Sequence, residues 1–103
     1  MIHVLATIAV KPGTRAEFLT HFAWLTPQVR AEDGCIEYGA AVDVQTDSPM
    51  QSPIRPDVVV VVEKWASLAH LKAHSAAPHM TEYRQRVSGV VQSVTLQILE
   101  PAT

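Results

Sequence analysis

The sequence contains no asparagine, only one cysteine and few charged residues. With Cys35 alone, no disulfide can form within the chain, as is usual for proteins of reducing compartments. Charged residues make up 17% of the chain, eight basic and ten acidic, and no run of one sign stands out. The net charge of −2 therefore argues against nucleic acid or an acidic lipid surface as a partner.

Long hydrophobic runs are also missing. The longest purely apolar stretch, Val58 to Val62, is far too short to span a bilayer. The first residues lack the basic start and extended apolar segment of a signal peptide, so we expect a cytoplasmic protein with no membrane association. A length of 103 residues with 48% apolar side chains predicts one globular domain, residues 1–103.

The first third of the chain changes from a period of two to a helical period. Residues 2–10 alternate as a strand does. Thr14 followed by Glu17 predicts a capping box that opens a helix. Pro27 is expected to kink or restart this helix, and Gly34 to cap its end. The helix carries apolar side chains at helical spacing: Phe18, Phe22, Leu25 and Val29.

The remaining segments complete a recognisable order of elements. In sequence they are a strand at 35–43, a loop with three prolines at 44–56, a strand at 57–65, a helix at 67–75 with Leu68 and Leu71 inward, a helix at 78–88 and a strand at 91–99. The order β-α-β-β-α-β, with the second α split in two, predicts a ferredoxin-like α+β fold. Such a fold has an antiparallel four-stranded sheet with helices on one face.

The third predicted strand is apolar on both of its faces. Val58, Val60 and Val62 lie opposite Val59 and Val61. A sheet with one solvated face should alternate more cleanly between apolar and polar side chains. A second sheet packed on this face would resolve the conflict, so the sequence predicts a homodimer formed by sheet-on-sheet packing.

Short motifs along the whole chain resemble the antibiotic biosynthesis monooxygenase family, and its quinol monooxygenase branch most closely. They are Val10-Lys11-Pro12-Gly13, Glu32-Asp33-Gly34-Cys35 with Tyr38, Glu63-Lys64-Trp65, Ala69 to His74, Pro78-His79-Met80, the Gln51-Ser52 segment before Pro56-Asp57, and Ile98 to Pro101. The resemblance implies a dimeric ferredoxin-like protein that oxidises a quinol or polycyclic phenol with molecular oxygen, without metal or flavin.

Other branches of that family fit less well. The haem-degrading branch uses an asparagine on the first strand, and some members acting on aromatic polyketides also hold substrate with an asparagine. This chain has no asparagine. A branch that processes a phosphorylated signalling sugar remains open on the motifs alone.

A cofactor-free oxygenase needs a general base, an apolar cavity and hydrogen-bond donors for the anions it forms. Histidine suits the role of base because its ordinary pKa lies near neutral pH. His74 is the preferred base, and His79, at a helix start that favours anions, is a second catalytic candidate. His70 lies four residues before His74 on the same helix face and could contact substrate. The same three histidines could instead bind a metal, but no nearby carboxylate or thiol has ligand spacing, so we expect none.

Aromatic and apolar residues complete the predicted site. Tyr83 follows His79 by four residues and is a candidate catalytic donor, while Tyr38 could bind substrate. Trp65 could form the wall of a pocket for a flat ligand, although a purely structural position in the core, packed under Leu68 and Leu71, is the better explanation. Ile8 should line the pocket without chemistry.

The family resemblance, together with the histidines of the short helix, thus implies a cofactor-free monooxygenase for a small aromatic quinol, with one pocket per subunit between the sheet and its own helices. Two other functions fit the same residues. The protein could be a non-catalytic dimer that binds a small ligand. It could also be a cofactor-free isomerase of a small phosphorylated or carbonyl compound, in which the histidines move protons.

Overall fold

A computed structural model describes all 103 residues. It has four strands and three helices: β1 (Ile2–Val10), α1 (Arg15–Arg30), β2 (Cys35–Ala41), β3 (Val58–Trp65), α2 (Leu68–Ser75), α3 (Pro78–Val87) and β4 (Val91–Leu99). The predicted order of elements is confirmed, including the split second helical segment. No helix combines the length and hydropathy needed to cross a membrane.

The four strands form one sheet in the order β2-β3-β1-β4, with every neighbouring pair antiparallel. β1 and β2 run parallel with β3 between them, and β3 and β4 run parallel with β1 between them. This is the split arrangement of the ferredoxin-like fold. The residues Val4, Glu63 and Tyr38 lie side by side across three strands, because Val4 pairs with Glu63 and Glu63 with Tyr38.

All three helices lie on one face of the sheet and bury its alternate residues. The most deeply buried side chains are Val4, Val10, Phe18, Leu25, Val29, Val59, Val61 and Trp65. Complete burial of an apolar side chain of this size contributes about 1.5–3 kcal/mol. Burial of these residues fixes the positions of β1 and β3, and with them the positions of the cavity-lining side chains on the same two strands.

Several local expectations were wrong. α1 does not restart at Pro27 but continues to Arg30, and the side chains of Thr26 and Gln28 donate to the carbonyls of Phe22 and Trp24 beside the lost backbone bond. Thr14 occupies the N-cap, but its hydroxyl donates to the Lys11 carbonyl, so no capping box forms. Leu68 is 60% exposed instead of inward.

The turns at the two ends of β2 also differ from expectation. α1 ends at Ala31, and Gly34 instead supplies a positive φ of 79° in the turn that enters β2. β2 stops at Ala41, two residues early. The loop that follows is closed at its base by Asp43 and Arg55, which form two hydrogen bonds of 2.9 Å between carboxylate and guanidinium. This pair lowers the pKa of Asp43 to about 2.

Candidate active site

A cavity of about 500 Å³ lies between the sheet and the helices α2 and α3. Its apolar floor comes from the helix-facing side of β1 and β4: Val4, Ala6, Ile8, Val94, Leu96 and Ile98. The three β4 side chains are each about half exposed, so the cavity opens along this edge strand. Size and lining suit a small, mainly apolar organic ligand.

His74 lies at the polar end of this cavity and is 4% exposed. It occupies the last turn of α2, a helix whose N-cap Ser67 accepts a hydrogen bond from the His70 backbone N–H. The ring packs against the indole of Trp65, with centroids 4.6 Å apart, and against the edge of Tyr38 at 5.6 Å. These contacts hold the imidazole in one orientation.

Glu32 lies outside the cavity, and its carboxylate contacts two histidines. Its Oε2 lies 2.9 Å from Nδ1 of His74 and 2.7 Å from Nε2 of His79. Because a carboxylate oxygen only accepts hydrogen bonds, both ring nitrogens donate an N–H to it. The neutral His74 ring consequently carries its lone pair on Nε2, which points away from Glu32 toward the cavity residue Glu63. This is the arrangement that an acid residue gives a histidine base in catalytic triads.

Glu63 is a second buried polar residue of the cavity, 6% exposed. Its Oε1 accepts a hydrogen bond of 2.9 Å from Nε1 of Trp65 and lies 4.0 Å from Nε2 of His74. Burial raises the pKa of Glu63, against the opposing effects of the Trp65 bond and His74.

Two tyrosines bring hydroxyl groups to the same cavity. Tyr38 and Tyr83 are almost fully buried and both line it. Their rings pack around Phe22, Tyr38 stacked and Tyr83 edge-on. Burial, reinforced by the Glu63 carboxyl, raises the pKa of both phenols. Both groups therefore stay protonated near neutral pH and can donate to an oxygen atom of a ligand.

The structure brings together four of the seven site residues predicted from sequence: Ile8, Tyr38, His74 and Tyr83 all line the cavity. Trp65 is completely buried beneath His74 and does not line the cavity; it contacts the cavity residues His74, through ring packing, and Glu63, through a hydrogen bond. His79 lies outside the cavity and acts on it only through Glu32.

His70 is placed away from the other candidates. Its Nδ1 lies 2.7 Å from the Ser67 hydroxyl and its Nε2 3.3 Å from Asp33 Oδ2. The ring packs over Gly34, where a Cβ would overlap it. His70 and His74 thus turn to different partners, and no three histidine, cysteine or acidic side chains converge as a metal site requires.

Sequence reasoning missed the two carboxylates. Glu63 carried a usable signal, because the alternation of β3 places it on the same buried face as Val59, Val61 and Trp65. Glu32 was named only within the family motif Glu32-Asp33-Gly34-Cys35, and no local pattern predicted its contacts, because it lies 42 and 47 residues from the two histidines.

Comparison with known proteins supports the resemblance seen in the motifs. The model of the family described as "Antibiotic biosynthesis monooxygenase" matches residues 1–86. The chain belongs to this family. It is 40% identical over 103 residues to the Escherichia coli (strain K12) protein named "Probable quinol monooxygenase YgiN", and the match covers 98% of each chain.

Solved structures share the fold at lower identity. PA3566 from Pseudomonas aeruginosa superimposes with a TM-score of 0.81 and 22% identity, covering 99% of this chain and 94% of that one. Rv0793 from Mycobacterium tuberculosis superimposes with a TM-score of 0.80 and 23% identity, and the match covers 99% of this chain and 95% of that one. These likenesses establish the ferredoxin-like α+β architecture across the chain.

Proposed function

We propose that this protein is a cofactor-independent monooxygenase that oxidises a small aromatic quinol or phenol with molecular oxygen. The observation that carries the proposal is His74, held by Glu32 through Nδ1 and presenting Nε2 to an apolar cavity. The family and the name of the Escherichia coli relative support the same reaction class.

The chemistry follows from the reluctance of triplet oxygen to react with singlet organic molecules. His74 removes a proton from a substrate hydroxyl, and the electron-rich anion then passes one electron to oxygen. Tyr38 and Tyr83 donate hydrogen bonds to the oxygen atoms that gain negative charge. The aliphatic floor offers no hydrogen-bonding partner to water, so a bound substrate displaces water from it while the two radicals combine. None of these steps requires a metal or flavin.

The test is oxygen uptake by metal-stripped protein with reduced menadione, after subtraction of autoxidation. We expect His74→Ala to lower the rate by about 10²–10⁴-fold, the usual contribution of a general base. His21→Ala is the matched control, because His21 lies on α1 and makes no contact with the cavity.

Each other result argues against the proposal. Unchanged uptake in His74→Ala would contradict the assignment of the base. Tight binding of menadione without uptake would favour a ligand-binding dimer, and turnover of a carbonyl compound under strict anaerobiosis would favour an isomerase.

The proposal includes a homodimer as the working unit. The face of the sheet opposite the helices carries Leu5, Ala9, Val58, Val60 and Val62, which nothing in a single chain covers. A contiguous apolar face of this kind normally lies against a partner, and a second copy offers the same surface.

A further inference from the structure

Glu63 is an acidic residue on the buried face of β3, where the neighbouring positions are Val59, Val61 and Trp65. Placing a carboxyl group in such surroundings costs stability, because the charged form loses its hydration. A valine at this position would pack against the same neighbours without that cost. The proposed steps of proton removal and oxygen reduction leave Glu63 without a role.

The two carboxyl oxygens of Glu63 have different surroundings. Oε1 accepts the Trp65 hydrogen bond and is the atom nearest to His74. Oε2 has no hydrogen bond within the protein, yet no fully buried side-chain nitrogen or oxygen in the chain lacks a partner. Oε2 therefore reaches the open volume of the cavity that Glu63 lines. A molecule in the cavity would meet this oxygen and Nε2 of His74 within a few ångströms of each other.

Burial favours the neutral form of Glu63, while Glu32 holds His74 ready to accept a proton. A carboxyl group favoured in its protonated form beside an imidazole nitrogen with a free lone pair is the usual arrangement of an acid and a base in one active site.

We propose that Glu63 is a second catalytic residue, which gives a proton to the oxygenated substrate and then takes the ring proton whose loss completes hydroxylation. This inference rests on the proposed function, because it concerns the fate of the intermediate formed after His74 has acted. It gives the two proton carriers of the cavity different first steps: His74 deprotonates the substrate hydroxyl, and Glu63 protonates the peroxide.

The proton and electron balance closes without an outside donor. His74 takes the hydroxyl proton of the quinol, one electron passes to oxygen, and superoxide joins a ring carbon that bears hydrogen. Glu63 protonates the distal oxygen of this peroxide and, as a carboxylate, removes the proton from the same carbon. That C–H electron pair forms a carbonyl as the O–O bond breaks. The leaving hydroxide takes the proton back from His74 and departs as water.

The net reaction is quinol plus oxygen giving hydroxylated quinone plus water, with both residues restored. If the ring proton is not removed, the hydroperoxide decomposes by a different reaction. Its C–O bond breaks as the remaining hydroxyl loses its proton, and quinol plus oxygen give the unmodified quinone plus hydrogen peroxide. Glu63 would thus decide between hydroxylation and simple oxidation.

The test is Glu63→Gln, which keeps an oxygen to accept the Trp65 bond but cannot carry the proton. With reduced menadione we expect oxygen uptake to continue while the yield of hydroxylated quinone per oxygen falls at least about tenfold. Hydrogen peroxide should replace water, so added catalase should return half of the consumed oxygen. Glu82→Gln, on the exposed surface of α3, is the control and should behave as wild type.

A second variant separates chemistry from damage to the fold. Glu63→Asp retains a carboxyl group and should recover part of the hydroxylated product that Glu63→Gln loses. Equal yields in the two variants, or a wild-type yield in Glu63→Gln, would overturn the role of Glu63. If wild-type protein itself consumes no oxygen, or forms no hydroxylated quinone, the proposed function fails before this question arises.

Discussion

One oxygen atom of Glu32 organises the polar side of the candidate site. It accepts hydrogen bonds from His74 and His79, which belong to different helices, while Glu32 itself belongs to the turn before β2. Exposure of the side chains increases outward, from 5% for His74 to 13% for Glu32 and 19% for His79. Under the proposed function, Glu32 is therefore a positioning residue, which sets the tautomer of the proposed base His74 without touching the cavity.

Glu32→Gln should disturb the orientation and tautomer of His74 and leave the binding of substrate nearly unchanged. An amide can donate to Nδ1 as well as accept from it, so His74 becomes free to carry its proton on Nε2 and lose its function as base. It also loses the negative charge that stabilises the imidazolium form. We expect kcat for reduced menadione to fall by about 10²-fold or more, with little change in KM.

Steady-state oxygen uptake together with ¹⁵N NMR of the His74 ring would measure both effects of this variant. His79→Gln is the comparison, because it removes the outer histidine and leaves the bond from Glu32 to His74 in place. Wild-type kcat in Glu32→Gln, or a change confined to KM, would contradict the positioning role.

Two residues that sequence analysis placed in the pocket, Ile8 and His74, do line the cavity. Ile8 was predictable because it lies on the alternating face of a strand, and His74 was a candidate because histidine is the natural general base near neutral pH. The partners of these residues were not predictable in the same way. Glu32 contacts His74 only because the turn before β2 and the end of α2 meet in three dimensions. The local periodicity of the sequence cannot predict such a contact.

At the scale of elements, the turn between α1 and β2 fixes where Glu32 and β2 lie. Gly34 has φ of 79° in this turn, and the ring of His70 from α2 packs directly over it. The Gly34 carbonyl also accepts the backbone N–H of Ala66 after β3. The turn thus joins three neighbouring elements, which explains why a glycine is required where sequence reasoning expected only a helix cap.

Gly34→Ala should destabilise the fold for two separable reasons. A side chain at this positive φ costs about 1–3 kcal/mol of backbone strain. The added Cβ also overlaps His70, both the ring and the Cβ of that residue, which would lie 2.7 Å away. His70→Ala in the same chain removes only the ring, so it should recover part of the loss from overlap and none of the backbone strain. Urea denaturation would measure both.

Gly89→Ala is the matched control for this pair, because its φ is not positive and nothing lies within contact distance of an added Cβ. It should leave stability within about 1 kcal/mol of wild type. Equal denaturation midpoints for the Gly34 and Gly89 variants would refute the conformational requirement at Gly34.

At the scale of the whole molecule, the two faces of the sheet differ in what covers them. The helix-facing side holds the core and the cavity, and its buried residues match the alternation read from sequence in β1 and β3. The opposite side carries valines where a solvated sheet would carry polar residues. An antiparallel sheet can leave one face to water, so an apolar second face indicates a surface reserved for association.

Val60→Asp tests this association directly. Val60 lies at the centre of the open face, paired with Thr7 of β1 and Ala41 of β2. In a two-fold dimer the substitution places a carboxylate on both copies within the same apolar interface. Burial of such charges costs several kcal/mol, so we expect the dimer dissociation constant to rise by at least about 10²-fold. The fold of each chain should survive, because Val60 is only partly buried in one copy.

Sedimentation equilibrium of wild type and Val60→Asp would measure the change, with circular dichroism to confirm that the variant is folded. Gln85→Asp adds the same charge on the exposed surface of α3 and should leave the association unchanged. A wild-type protein that sediments as a single chain, or a folded Val60→Asp that remains dimeric, would show that this face is not the interface. The valines of β3 would then need another partner to explain them, because no element of the chain itself covers that side of the sheet.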